Sequence, residues 1–127
     1  MIILFHLGHP AHFHLFNNTI SFLKNKNHEV LITIKKKDVL ENLLTESGYD
    51  YINLTQGERQ NGLLGIGTSL LKRNSALHKL TREIKPDIMI GTSPEITHIG
   101  TLQNIPSIVV NEDDWNIVPL FSNFKPK

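Results

Sequence analysis

The stretch Gly8-His9-Pro10-Ala11-His12-Phe13-His14 decides how this chain folds. It follows a short β-branched and aromatic run, Met1-Ile2-Ile3-Leu4-Phe5, and Phe13, Phe16, Ile20 and Leu23 then recur at helical spacing. That order predicts a strand, a tight turn built on Gly8 and Pro10, and a helix N-terminus, with His9, His12 and His14 crowded at the junction. In an open α/β sheet such a junction lies on the rim where ligands bind.

Working outward, the first strand covers Ile2–Leu7. It is apolar enough to be buried on both faces, with His6 as a buried, hydrogen-bonded ring. The first helix runs from Ala11 or His12 to Lys26, with Lys24 and Lys26 suited to its C-terminal dipole and Asn27 as a left-handed cap. A second strand, His28–Ile34, ends in Lys35-Lys36-Lys37, read as a solvated loop or as a phosphate contact. Asp38 and Glu41 form a capping-box pattern for a helix over Val39–Ser47, closed by Gly48. Tyr49–Leu54 is a less apolar strand, expected near a sheet edge. The glycine-rich stretch 56–67 is a substrate lid or a plain connector. A helix follows over 69–84, stopped by Pro86. Asp87–Gly91 is the fourth strand, and Ser93 with Pro94 starts a helix that runs to Gln103. Pro106–Val110 is the fifth strand, and Asn111-Glu112-Asp113-Asp114 forms an acidic turn at its end.

The order β-α-β-α-β-α-β-α-β, with right-handed crossovers, predicts a Rossmann-like three-layer α/β/α domain with a parallel sheet of about five strands. Its C-terminal rim gathers the histidine turn, the Gly91–Glu95 turn and the Asn111–Asp114 turn. A chain of 127 residues, 39% hydrophobic, suits one such domain. The net charge of +1 gives no field that would draw nucleic acid, and the absence of cysteine excludes disulfides and thiolate chemistry. Met1–Leu4 is too short for a signal sequence, and no apolar run reaches the ~18 residues of a membrane helix, so a cytoplasmic location is expected.

The first turn carries only Gly8, so it is not a dinucleotide fingerprint, and the lysines ending strand two replace the acid an NAD site would need. There is no P-loop. His12 and His14 are two residues apart, about 200° around a helix, and face away from each other, although His9 and His12 could both point into the cleft. No metal is expected, and without either nucleotide motif no cofactor is expected. General acid–base chemistry fits better, because a neutral imidazole in the first helical turn can take a proton from a hydroxyl near pH 7. His12 is the first candidate and His9 the second, each with the alternative of capping or packing the turn, which is the expectation for His14. Glu95 sits where the helix dipole alone favours an acid, or contacts a sugar hydroxyl or a base. Trp115 stacks on a sugar ring or packs against the terminal helix.

The pieces Gly8-His9-Pro10-Ala11-His12, Asn27-His28-Glu29-Val30, Pro86-Asp87-Ile88-Met89-Ile90-Gly91, Ser93-Pro94-Glu95 and Ile105-Pro106-Ser107-Ile108-Val109 resemble the N-terminal half of an uncharacterised prokaryotic domain family related to the GT-B glycosyltransferases. A more distant likeness is to the MurG and UDP-N-acetylglucosamine 2-epimerase families. His12 and His28 keep the spacing of two MurG histidines, although Pro10-Ala11 replaces a Gly-Gly pair and Asn27 replaces a Gly. The resemblance implies one half of a GT-B architecture, the acceptor-side domain, lacking the half that binds the nucleotide sugar and so inactive alone. It implies a nucleotide sugar, UDP-linked, as substrate and a sugar or lipid-linked acceptor, with a homo-oligomer compatible. His12 would be the general base, with His9 beside it and Gly8, Gly91, Thr92, Ser93, Glu95, Asn111 and Glu112 lining the cleft. The alternatives are a sugar-nucleotide epimerase or hydrolase of the same build, or a non-catalytic Rossmann-like binding module.

Overall fold

β1 (Ile2–Leu7) occupies the middle of a five-stranded sheet whose order is β3-β2-β1-β4-β5 and whose pairings are all parallel. The other strands are β2 (Glu29–Ile34), β3 (Ile52–Asn53), β4 (Ile88–Gly91) and β5 (Ser107–Val109). In register, Leu7 of β1 faces Ile34 of β2, and His6 faces Gly91 of β4. The computed structural model describes residues 1–35, 39–54 and 75–110. The 56–67 stretch, the first part of the 69–84 helix, Asp38, the Asn111–Asp114 turn and Trp115 lie outside the described residues.

Among the described residues four helices cover the sheet: α1 (Pro10–Asn25), α2 (Val39–Glu46), α3 (residues 75–84) and α4 (Pro94–Gln103). The alternation of β1 sends its side chains to two cores. Ile3, Phe5 and Leu7 pack with Phe13, Phe16 and Ile20 of α1 and Leu40 and Leu44 of α2. Leu4 packs on the other face with Leu77 of α3, Met89, and Ile96 and Ile99 of α4. Burial on both faces is why β1 reads as an unbroken apolar run, and why β3, at the sheet edge, does not.

The caps explain where the helices stop. Asn27, Gly48, Lys85 and Asn104 all adopt the left-handed conformation after α1, α2, α3 and α4 respectively. Two glycines are required by close approach. A Cβ on Gly91 would lie 2.7 Å from the His6 carbonyl oxygen, and one on Gly100 would lie 2.8 Å from the Ile105 carbonyl oxygen. Among the described residues no helix is long and apolar enough to cross a membrane.

Candidate functional site

The sheet order 3-2-1-4-5 reverses direction between β1 and β4, and α/β sheets bind ligands at the carboxyl ends of the strands at such a point. β1 leads there into Gly8 and α1, and β4 leads into Thr92, Ser93 and α4.

His12, in the first turn of α1, crosses this gap. Gly8 N–H donates to its Nδ1 at 3.1 Å, and Thr92 Oγ1, from the far side, lies 3.0 Å from Nδ1 and 3.1 Å from Nε2. A ring nitrogen that accepts from an amide carries no proton, so this bond assigns the ring proton of neutral His12 to Nε2. The ring is half-buried, with one edge pinned by its own turn and by the neighbouring strand end.

Gly8 separates two side chains. A Cβ there would meet Lys35 Cδ at 3.6 Å and His12 Cε1 at 3.8 Å. Lys35, at the end of β2, reaches across the end of β1 and places Nζ 2.6 Å from Glu95 Oε1 in the first turn of α4. The two side chains are only 19% and 7% exposed. Burial opposes ionisation of Glu95, but the Lys35 charge and its hydrogen bond outweigh it and hold the carboxyl at about 2. The Ser93 hydroxyl helps through its dipole, although it forms no well-aligned hydrogen bond among the described residues. Glu95 Oε2 is buried and likewise lacks a hydrogen-bond partner there. A buried carboxylate oxygen left in this state calls for a donor, which a hydroxyl, an amide or a water can supply.

Set against the sequence reading, Gly8, His12, Thr92, Ser93 and Glu95 come together at one rim, whereas Asn111 and Glu112 lie outside the described residues. His9 is exposed at the N-cap of α1, where its Nδ1 accepts from Ala11 N–H at 3.2 Å, which is the capping alternative. His14 is exposed, its ring edge-on to Phe13. Gly91 is buried, and its immediate work is the approach of β4 to β1. Ser93 holds the N-cap position ahead of Pro94, but its hydroxyl makes no capping bond. Glu41 accepts from Asn53 Nδ2 at 3.1 Å, while Asp38, its expected partner in a capping box, lies outside the described residues. His6 is buried and bonded through Nδ1 to Thr33 Oγ1 at 2.8 Å, as expected. Lys35 was not among the expected site residues, since the sequence placed it in a lysine run read as a solvated loop or as a phosphate contact. Its available signal was position, since it follows a strand that pairs with the glycine-ended β1. Among the described residues no group of three or more His, Asp or Glu side chains is arranged to hold a metal.

No protein-family model and no curated protein sequence matches the chain. Solved structures do match it in fold. UDP-GlcNAc 2-epimerase from Neisseria meningitidis, bound to UDP-GlcNAc, superimposes with a TM-score of 0.72 at 17% identity, covering 94% of this chain and 35% of that one. MurG from Acinetobacter baumannii gives 0.73 at 15% identity, over 98% of this chain and 39% of that one. The spinosyn rhamnosyltransferase SpnG, complexed with thymidine diphosphate, gives 0.72 at 16% identity, over 97% and 38%. The likeness is one of fold: a Rossmann-like α/β domain matching neighbours of the GT-B build. The chain spans between 35% and 39% of the length of these three proteins.

Proposed function

We propose that this chain is the N-terminal, acceptor-side half of a GT-B-type enzyme acting on a nucleotide sugar, a glycosyltransferase in the first instance. The supporting observation is the hydrogen-bonded junction of His12 and Thr92 at the sheet's switch point, beside the Lys35–Glu95 pair. The epimerase and glycosyltransferase folds around it support a nucleotide-sugar substrate, UDP-linked as in the neighbour bound to UDP-GlcNAc. The half that holds the nucleotide would be supplied by chain beyond these residues or by a second polypeptide, and these residues alone would not turn over.

In this proposal His12 is the general base for an acceptor hydroxyl. The Gly8 amide keeps Nδ1 as an acceptor and the ring neutral, the state a base needs. Taking the proton at Nδ1 means giving up the Gly8 bond, so the ring would move on catalysis. Gly8, Thr92, Ser93 and Glu95 line the acceptor cleft, with the Glu95 carboxylate accepting from a sugar hydroxyl. Asn111 and Glu112 would add further polar contacts to the acceptor. His9 acts by holding the turn in register.

The test uses the protein joined to its nucleotide-binding half. His12→Ala should slow consumption of the nucleotide sugar by about 10²–10⁴-fold, the usual scale of one general base. An unchanged rate removes His12 from the mechanism. The epimerase neighbour favours a second reading, conversion of the UDP-sugar without any acceptor. Turnover that is independent of added acceptor would select it.

A further inference from the structure

At the opposite rim of the sheet from His12, a cavity of about 630 Å³ opens between the C-terminal ends of α3 and α4. His78, Thr81, Arg82, Lys85 and Pro86 line it from α3 and the residues after it, and Leu102, Gln103 and Ile105 from the end of α4. Its volume is in the range of small-molecule sites.

The chemistry of the lining is one-sided. Among the described residues Arg82 and Lys85 have no ion-pair partner, and no acidic side chain lines the cavity. The Gln103 carboxamide is fixed by its Nε2, 2.7 Å from His78 Nδ1, 3.0 Å from His78 O and 2.8 Å from Thr81 Oγ1. The cavity therefore offers a cationic guanidinium and an ammonium beside the apolar side chains of Leu102, Ile105 and Pro86. Leu102 is 70% exposed, a large apolar side chain with little covering it.

Lys85 supplies an independent observation. All four helices end in a left-handed residue, and three of them use Asn27, Gly48 and Asn104, the residue types that adopt that conformation at least cost. Only α3 ends in a lysine, with φ of 52°. Lys85 thus holds a conformation that asparagine or glycine adopts at lower cost, and it borders the cavity.

We propose that this cavity binds a soluble phosphate monoester carried on an apolar body, its phosphate held by Arg82 and Lys85 and its body laid against Leu102, Ile105 and Pro86. Two cations match a dianion, and the forked guanidinium matches phosphate oxygens. The site is separate from the His12 rim, so it does not depend on the sugar-transfer proposal.

The test is an NMR titration of the 127-residue chain with phenyl phosphate, following backbone amides. Saturable shifts should concentrate in residues 81–87 and 102–105. Lys85→Asn should weaken binding about tenfold, the scale of one charge-assisted hydrogen bond, while the melting temperature stays level or rises. Arg82→Gln, on an exposed helix face, gives a second and independent loss. Inorganic phosphate should bind more weakly than phenyl phosphate, because it leaves the apolar side chains unused. The proposal is overturned if both variants bind as the parent does, if the two phosphates bind equally, or if the shifts fall at Gly8 and Thr92. It is also overturned if phosphatidic acid vesicles sediment the chain while phenyl phosphate moves no amide, since a lipid headgroup would then be the ligand.

Discussion

Lys35 Nζ lies 2.6 Å from Glu95 Oε1, so a residue ending β2 is tied to the start of α4 over the end of β1. The pair spans the rim on which the candidate site stands. Both charges are mostly out of water, and removing one partner strands the other. Lys35→Met or Glu95→Gln should therefore each cost about 3 kcal/mol in urea denaturation at pH 7. The double variant should cost less than the sum, because no unpaired charge remains. Strict additivity would mean the two side chains do not interact in solution.

Glu95 also sets a pH dependence. Its carboxyl titrates at about 2 in the folded chain, against 4.5 for the ordinary group. Between those values the unfolded chain binds more protons than the folded one, so stability rises with pH across that window. The contribution is fully present above about pH 4.5 and is lost as the pH falls towards 2. Denaturation midpoints measured from pH 6 down to pH 2, a range set by the linkage relation, should fall in the parent and fall less in Glu95→Gln. Parallel curves for the two proteins would assign the acid loss to other carboxylates.

Two glycines that the sequence grouped together should behave differently. A Cβ on Gly91 would sit 2.7 Å from the backbone oxygen of His6, in the centre of the sheet, where neither strand can shift cheaply. Gly91→Ala should destabilise the chain by about 1–3 kcal/mol, as overpacking does. A Cβ on Gly8 would meet its nearest neighbour, Lys35 Cδ, at an ordinary contact distance of 3.6 Å. Gly8→Ala should leave the melting temperature almost unchanged while narrowing the space between Lys35 and His12. Equal destabilisation by the two changes would contradict the strand geometry.

The contrast between those glycines marks what the sequence carried and what it did not. The parallel sheet was legible because Ile3, Leu4, Phe5 and Leu7 are apolar on both faces, and because Asn27, Gly48 and Pro86 punctuate the helices at the level of single residues. The rim was legible as a place, since it follows from strand order alone. The contacts within it were not. Lys35 and Glu95 are far apart in sequence, and nothing local to a lysine run says that its first member turns inward. His9 is an unusual N-cap, so its ring looked like chemistry. Ser93 looked like the better cap, yet its hydroxyl is buried beside Glu95 without capping α4.

His12 admits a substitution that separates its two duties. The ring accepts from the Gly8 amide and so holds the turn, and in the proposed mechanism it also moves a proton. Asparagine places an acceptor oxygen near the position of Nδ1 but has no titratable group near neutral pH. His12→Asn should therefore keep the turn, with a stability change below about 1 kcal/mol, whereas His12→Ala should lose roughly the worth of that hydrogen bond. In the protein joined to its nucleotide-binding half, both variants should lose turnover by about 10²–10⁴-fold. His9→Ala is the control: it removes a cap worth about 1 kcal/mol and should leave turnover in place once the chain is folded. Full activity in His12→Asn alongside a weakened His12→Ala would make His12 a strut of the turn, and proton transfer would then belong to another residue on the rim.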